Sequence, residues 1–75
     1  QKKKTEALEI FKLNAKKNPK QFMTYAGLTR GYSANGYFKN AMVNAKLALA
    51  LAPDAINKTS VENMIKKLEN KQDVN

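Results

Sequence analysis

Apolar residues recur along this chain at three- and four-residue steps, in four blocks separated by short polar breaks. From Thr5 to Lys17, the residues Ala7, Leu8, Ile10, Phe11 and Ala15 fall on one side of a helix, and Glu6, Glu9, Lys12 and Lys16 on the other. Thr5 is the expected N-cap, the early glutamates suit the positive end of the helix dipole, and Lys16 and Lys17 suit its negative end. Asn18 and Pro19 stop this helix. A second block, from about Gln21 to Asn35, sets Phe22, Tyr25, Leu28, Thr29 and Tyr32 on one face, and Asn35 with Gly36 supplies the left-handed residue that ends it. The third opens at Tyr37 and Phe38 and runs to Ala52, with a stripe of Ala41, Ala45, Ala48 and Ala52 beside a ridge of Val43, Leu47 and Leu51. Its "LALALA" alternates as a strand would, but Leu and Ala are strong helix formers and the segment holds no β-branched residue, so it reads as helix until Pro53. A fourth helix is expected to begin between Asn57 and Ser60 and to present Val61, Met64, Ile65 and Leu68; after Glu69 the tail "NKQDVN" has little to bury and is expected to fray.

Gly27 and Gly31 sit inside the second helix, where each costs about 1 kcal/mol relative to Ala. Something must offset that cost. Close approach of a neighbouring helix is the first reading, and close approach of a ligand backbone is the second.

Punctuation repeats along the chain: Ala7, Phe11, Ala15 and Pro19 return 34 residues later as Ala41, Ala45, Leu49 and Pro53. Within the central stretch Tyr25, Leu28, Thr29, Tyr32, Gly36, Phe38, Ala41, Ala45, Ala48 and Pro53 follow one another at fixed distances. That series resembles the tetratricopeptide repeat, a helix-turn-helix unit of 34 residues. It departs at Thr29, where the family prefers Gly or Ala, and at Ala45, where it prefers a large aromatic. The resemblance implies an all-α fold of antiparallel helical hairpins in a right-handed superhelix, with about four helices in one domain over residues 1–75. Residues 1–19 would be the second helix of a preceding repeat, 20–55 one full repeat, and 56–75 a closing helix with a frayed tail. Such arrays need about three stacked units for stability, so an upstream helix or self-association is expected to cover part of Leu8, Ile10 and Phe11. The stretches "FKLNAKKNPK", "GLTRGYSANG" and "NMIKKLENKQDVN" are also similar to the C-terminal segment of bacterial proteins that carry a separate N-terminal domain of no assigned function. Beginning at Gln1 with a helical pattern established by Thr5, the chain reads as a segment of a longer protein.

Composition changes the picture in two ways. Fourteen Lys and Arg against six Asp and Glu leave a net charge of +8, which attracts acidic peptides, nucleic acid or anionic membranes, or simply keeps a Lys- and Asn-rich surface soluble. The absence of His and Cys removes disulfides and the usual zinc sites, and leaves no nucleophile with a base; no metal or cofactor is expected, and the chain reads as non-catalytic. Glu6 and Glu9 lie opposite the apolar face and read as a solvated pair. The glycines interrupt or end a helix and do not follow a strand, so they form no phosphate loop. No run approaches a membrane span or a signal peptide, and the sequence leaves cytoplasm and periplasm open.

Binding is what remains. In tetratricopeptide arrays the concave surface is lined by the first helix of each repeat, which implies Met23, Ala26, Gly27, Arg30, Ser33 and Ala34 here, joined by Asn63, Lys66 and Lys67 from the last helix. Arg30 is the single arginine beside thirteen lysines, and its planar fork suits a carboxylate; it could equally be solvated or paired within the chain. Relatives that clamp a C-terminal carboxylate use Lys and Asn at concave sites occupied here by Ala26 and Gly27, so that specificity is not carried over. The expected partner is a protein or peptide, acidic by charge complementarity, with a homodimer or a purely structural capping role as the alternative. Nucleic acid, held by Lys2, Lys3, Lys4, Lys16, Lys17 and Lys20, is disfavoured because Phe11, Tyr25, Tyr32 and Phe38 are needed in the core, which leaves Tyr37 alone for base stacking.

Overall fold

The computed structural model describes residues 2–75, with the side chains of Lys2 and Lys4 outside that description. Four helices follow one another, α1 (Lys2–Lys17), α2 (Phe22–Ala34), α3 (Phe38–Leu51) and α4 (Ala55–Glu69), and the fold is all-α. Each helix packs on the next, and the set forms a slab of 34 × 31 × 16 Å. The alanine stripe makes the centre: Ala41, Ala45 and Ala48 have no exposed surface, and Val61 and Leu68 of α4 join them. Around this strip pack Phe22, Tyr25 and Tyr32 of α2, Phe38, Met42 and Leu49 of α3, and Ile65 of α4. Small residues on α3 therefore let the rings of α2 reach its backbone, as the stripe implied. Thr29 is fully buried and its hydroxyl donates to the Tyr25 carbonyl at 2.8 Å, so the larger residue is accommodated without an orphaned polar atom.

The two glycines of α2 are explained by α1. A Cβ on Gly27 would stand 2.9 Å from Phe11 Cδ1, and one on Gly31 would stand 2.9 Å from Phe11 Cδ2 and 3.4 Å from the Leu8 Cα. The Phe11 ring thus lies across both glycines and Leu8 is buried behind it. Helix approach offsets the propensity cost. Of the three α1 residues expected to await a partner, Ile10 is exposed as expected, Phe11 is half-buried and Leu8 is covered; Leu13 is exposed beside Ile10.

Helix ends show where local chemistry outran the pattern. At the end of α2, Gly36 takes φ +79°, the Gly36 N–H donates to the Ser33 carbonyl at 3.0 Å and the Tyr37 N–H to the Tyr32 carbonyl at 2.9 Å, the paired bonds of a Schellman turn. Thr5 is not an N-cap. Helix α1 already runs from Lys2, its first turn holds no acidic residue, and the Thr5 hydroxyl lies 3.5 Å from Asn35 Oδ1 across the α1–α2 contact. Helix α4 starts before the expected Asn57 to Ser60, because Asp54 caps it: its carboxylate accepts from the Asn57 N–H at 2.8 Å and from Asn57 Nδ2 at 3.2 Å.

The tail, expected to fray, is placed back on the fold. Lys71 takes φ 54°, its N–H donates to the Leu68 carbonyl and the Gln72 N–H to the Lys67 carbonyl, both at 2.9 Å, which is the same Schellman geometry built without glycine. A non-glycine residue in this left-handed region costs about 1–2 kcal/mol. The turn reverses the chain, and Val74 comes back to pack against the core.

Gly27→Ala is expected to lower the unfolding midpoint in denaturant, because the Phe11 ring must give way. In a Phe11→Ala background the same substitution is expected to raise stability by about 1 kcal/mol, the helix-propensity gain alone.

Candidate functional site

Helix α2 carries Met23, Ala26, Gly27, Arg30, Ser33 and Ala34 at helical spacing, and the structure sorts them by depth. Met23 is 71% exposed, Arg30 is exposed, and Ala26 and Ser33 are buried. Gly27 and Ala34 are half-buried, with the open side of Gly27 taken by the Phe11 ring. Ala26 and Gly27 therefore serve the packing of the helices as well as the surface, and a ligand backbone approaching Gly27 would meet an aromatic edge.

Between α2 and α4 runs a groove whose first compartment, about 260 Å³, is lined by Phe22, Met23, Ala26, Arg30, Ser60 and Met64, with Phe11 and Gly27 at its α1 side. Beyond Arg30 a second compartment of about 200 Å³ is bounded by Ser60, Asn63, Met64, Lys67 and Val74. A third depression, about 290 Å³, lies on the α1 side of Arg30 against Ala7, Phe11, Gly31, Ala34 and Asn75. Arg30 borders all three. Among the described residues its guanidinium makes no hydrogen bond or ion pair, so a cation with five donors stands where the apolar walls meet. Asn63 and Lys67 join it in the second compartment; Lys66 is exposed but lines none of the three.

Ser33 is the residue whose role the sequence did not disclose. At 2% exposure, its hydroxyl donates to Asp73 Oδ1 at 2.8 Å and accepts from the Val74 N–H at 2.8 Å. Thr29 and Asn35 on the same helix bond back to carbonyls four residues earlier, as polar side chains inside helices commonly do; Ser33 instead turns outward to the returning chain. Asp73 Oδ1 also accepts from the Asn75 N–H at 3.1 Å and from Asn75 Nδ2 at 2.8 Å, closing an Asx turn, and Asn75 Nδ2 reaches the Arg30 carbonyl at 3.0 Å. Asp73, Val74 and Asn75 thus belong to this face. The only cue available was the lone β-branched residue in an otherwise polar tail.

Other chemistry finds no comparable frame. No group of three or more His, Cys, Asp and Glu close enough to hold a metal occurs among the described residues. None of their helices is long and apolar enough to cross a membrane. Lys3, Lys16, Lys17 and Lys20 are exposed, but Tyr37, 55% exposed, is the open aromatic on offer and its ring already meets Tyr32 edge-on at 6.4 Å.

Ser33→Ala is expected to release the tail while the helices persist: amide exchange at Val74 and Asn75 should rise by at least about tenfold, the equivalent of one lost hydrogen bond near 1.4 kcal/mol, with exchange in α2 and α3 unchanged.

Comparison with known proteins finds no match among family models, curated proteins or solved structures.

Proposed function

We propose that this chain is a non-catalytic interaction module, tetratricopeptide-like in its repeat spacing, that holds an acidic peptide or protein segment in the groove between α2 and α4. The observation that carries this reading is Arg30. An arginine whose guanidinium makes no hydrogen bond or ion pair among the described residues, bordered by apolar walls and an exposed Met23, offers bidentate recognition of a carboxylate beside a surface that adapts to apolar side chains. Lys67 and Asn63 extend the polar rim on the α4 side. The net charge of +8 would speed the approach of an acidic partner.

The test is a display selection of random short peptides on the immobilised domain, with wild type and Arg30→Glu in parallel at moderate salt. Enrichment of acidic sequences on wild type, with at least about tenfold weaker binding to Arg30→Glu, is the expected result. No enrichment, or the same sequences binding both proteins equally, would remove the groove as a recognition site.

A second reading, self-association, is favoured by one separate feature. Val43, Leu47 and Leu51 recur every fourth residue on α3 and are all exposed, a continuous apolar ridge on the side away from the groove. If that ridge joins two copies, sedimentation will show a concentration-dependent dimer that Leu47→Glu abolishes; a monomer at all concentrations sets this reading aside.

A further inference from the structure

The α2 face already holds a short turned segment, and that segment comes from this chain. We propose that residues 73–75 are a built-in competitor for the α2 face, and that the trans ligand of this face is a short segment that repeats their chemistry: an acidic side chain followed by a β-branched apolar residue. The inference rests on the groove reading above and deepens it by naming the ligand class and how access is regulated.

Four contacts define what the face reads. The Ser33 hydroxyl donates to an acidic side chain and accepts from the next residue's N–H, so one buried group fixes both the identity of the first position and the backbone direction of the second. The second position, Val74, packs on the core and borders the compartment that Arg30, Met64 and Lys67 also line. The third places an amide on the Arg30 carbonyl. Recognition of this kind uses few groups, all of them reproducible by a segment from another molecule.

The tether makes the cis segment a competitor and its turn keeps it releasable. Only Asn70, Lys71 and Gln72 separate α4 from Asp73, so the effective concentration of the tail is on the order of millimolar. Lys71 holds the left-handed conformation that a glycine would adopt without strain, and this opposes closure. The Asx turn within the tail also lies close to Arg30, which borders both the compartment lined by Val74 and the first compartment. An incoming acidic segment that reaches Arg30 first can then displace Asp73 from Ser33.

The experiment uses the 75-residue chain and an acetylated, fluorescently labelled peptide of the sequence KQDVN. Wild type is compared with a variant in which Asp73→Gly, Val74→Ser and Asn75→Gly remove the tail's contacts, and with that variant carrying Ser33→Ala. If the tail covers the face nine-tenths of the time, the tail-replaced variant binds the peptide about tenfold more tightly than wild type. Adding Ser33→Ala then removes the gain, and circular dichroism confirms that all three proteins keep their helices. Equal affinity for wild type and the tail-replaced variant overturns the competitor role, and the groove reading then stands or falls by the Arg30→Glu selection. Binding that is stronger in the variant but indifferent to Ser33→Ala overturns the proposed ligand class. No binding to either protein overturns the inference as a whole, again without touching peptides that the selection enriches.

Discussion

Everything in this fold depends on how closely its helices approach, and two runs of small residues set that distance. Ala41, Ala45 and Ala48 on α3 are wholly buried and allow the aromatic side chains of α2 to lie against α3. Gly27 and Gly31 on the opposite side of α2 admit the Phe11 ring and the backbone of α1. Helix α2 is consequently held between two neighbours, with its position fixed by groups too small to adjust. A chain of this size buries only roughly 60% of its unfolded surface, so few other contacts are available to replace these. The inner face of α2 is rigid because both of its flanks are.

That rigidity gives the candidate site its character. Arg30 and Ser33 are three residues apart on one helix, and they face different tasks: the guanidinium is exposed among three depressions, the hydroxyl is buried and engaged by the returning chain. One is open to a partner and the other is already satisfied. The surface holds residues 73–75 by a serine hydroxyl and a helix carbonyl, next to an open arginine. It offers a few hydrogen-bonding groups and one positive charge.

Much of this could be read from the residues. The three- and four-residue periodicity placed all four helices, Pro19, Gly36 and Pro53 marked the breaks, and the alanines marked the centre. What escaped has a common cause, namely that side chains and not periodicity decided it. Asp54 moved the start of α4 because a single carboxylate satisfied the Asn57 N–H. Thr5 lost the cap role because α1 begins a turn earlier. The tail returned because Lys71 adopts a conformation usually marked by glycine, and because Ser33, forty residues away in sequence, has its hydroxyl turned outward. A long-range hydrogen bond of that kind leaves no pattern along the chain. Of the residues placed on the face by resemblance, Arg30, Asn63 and Lys67 meet around one compartment, Ser33 lies beneath the tail, and Lys66 stands apart.

The central claim is that the α2 face is a seat for a short peptide segment and that residues 73–75 occupy it. Backbone order parameters from nitrogen relaxation at Val74 and Asn75 in the wild-type chain test this most directly. Values near those of the helices, about 0.85, are what the account predicts; values below about 0.6 would describe a free tail and contradict it.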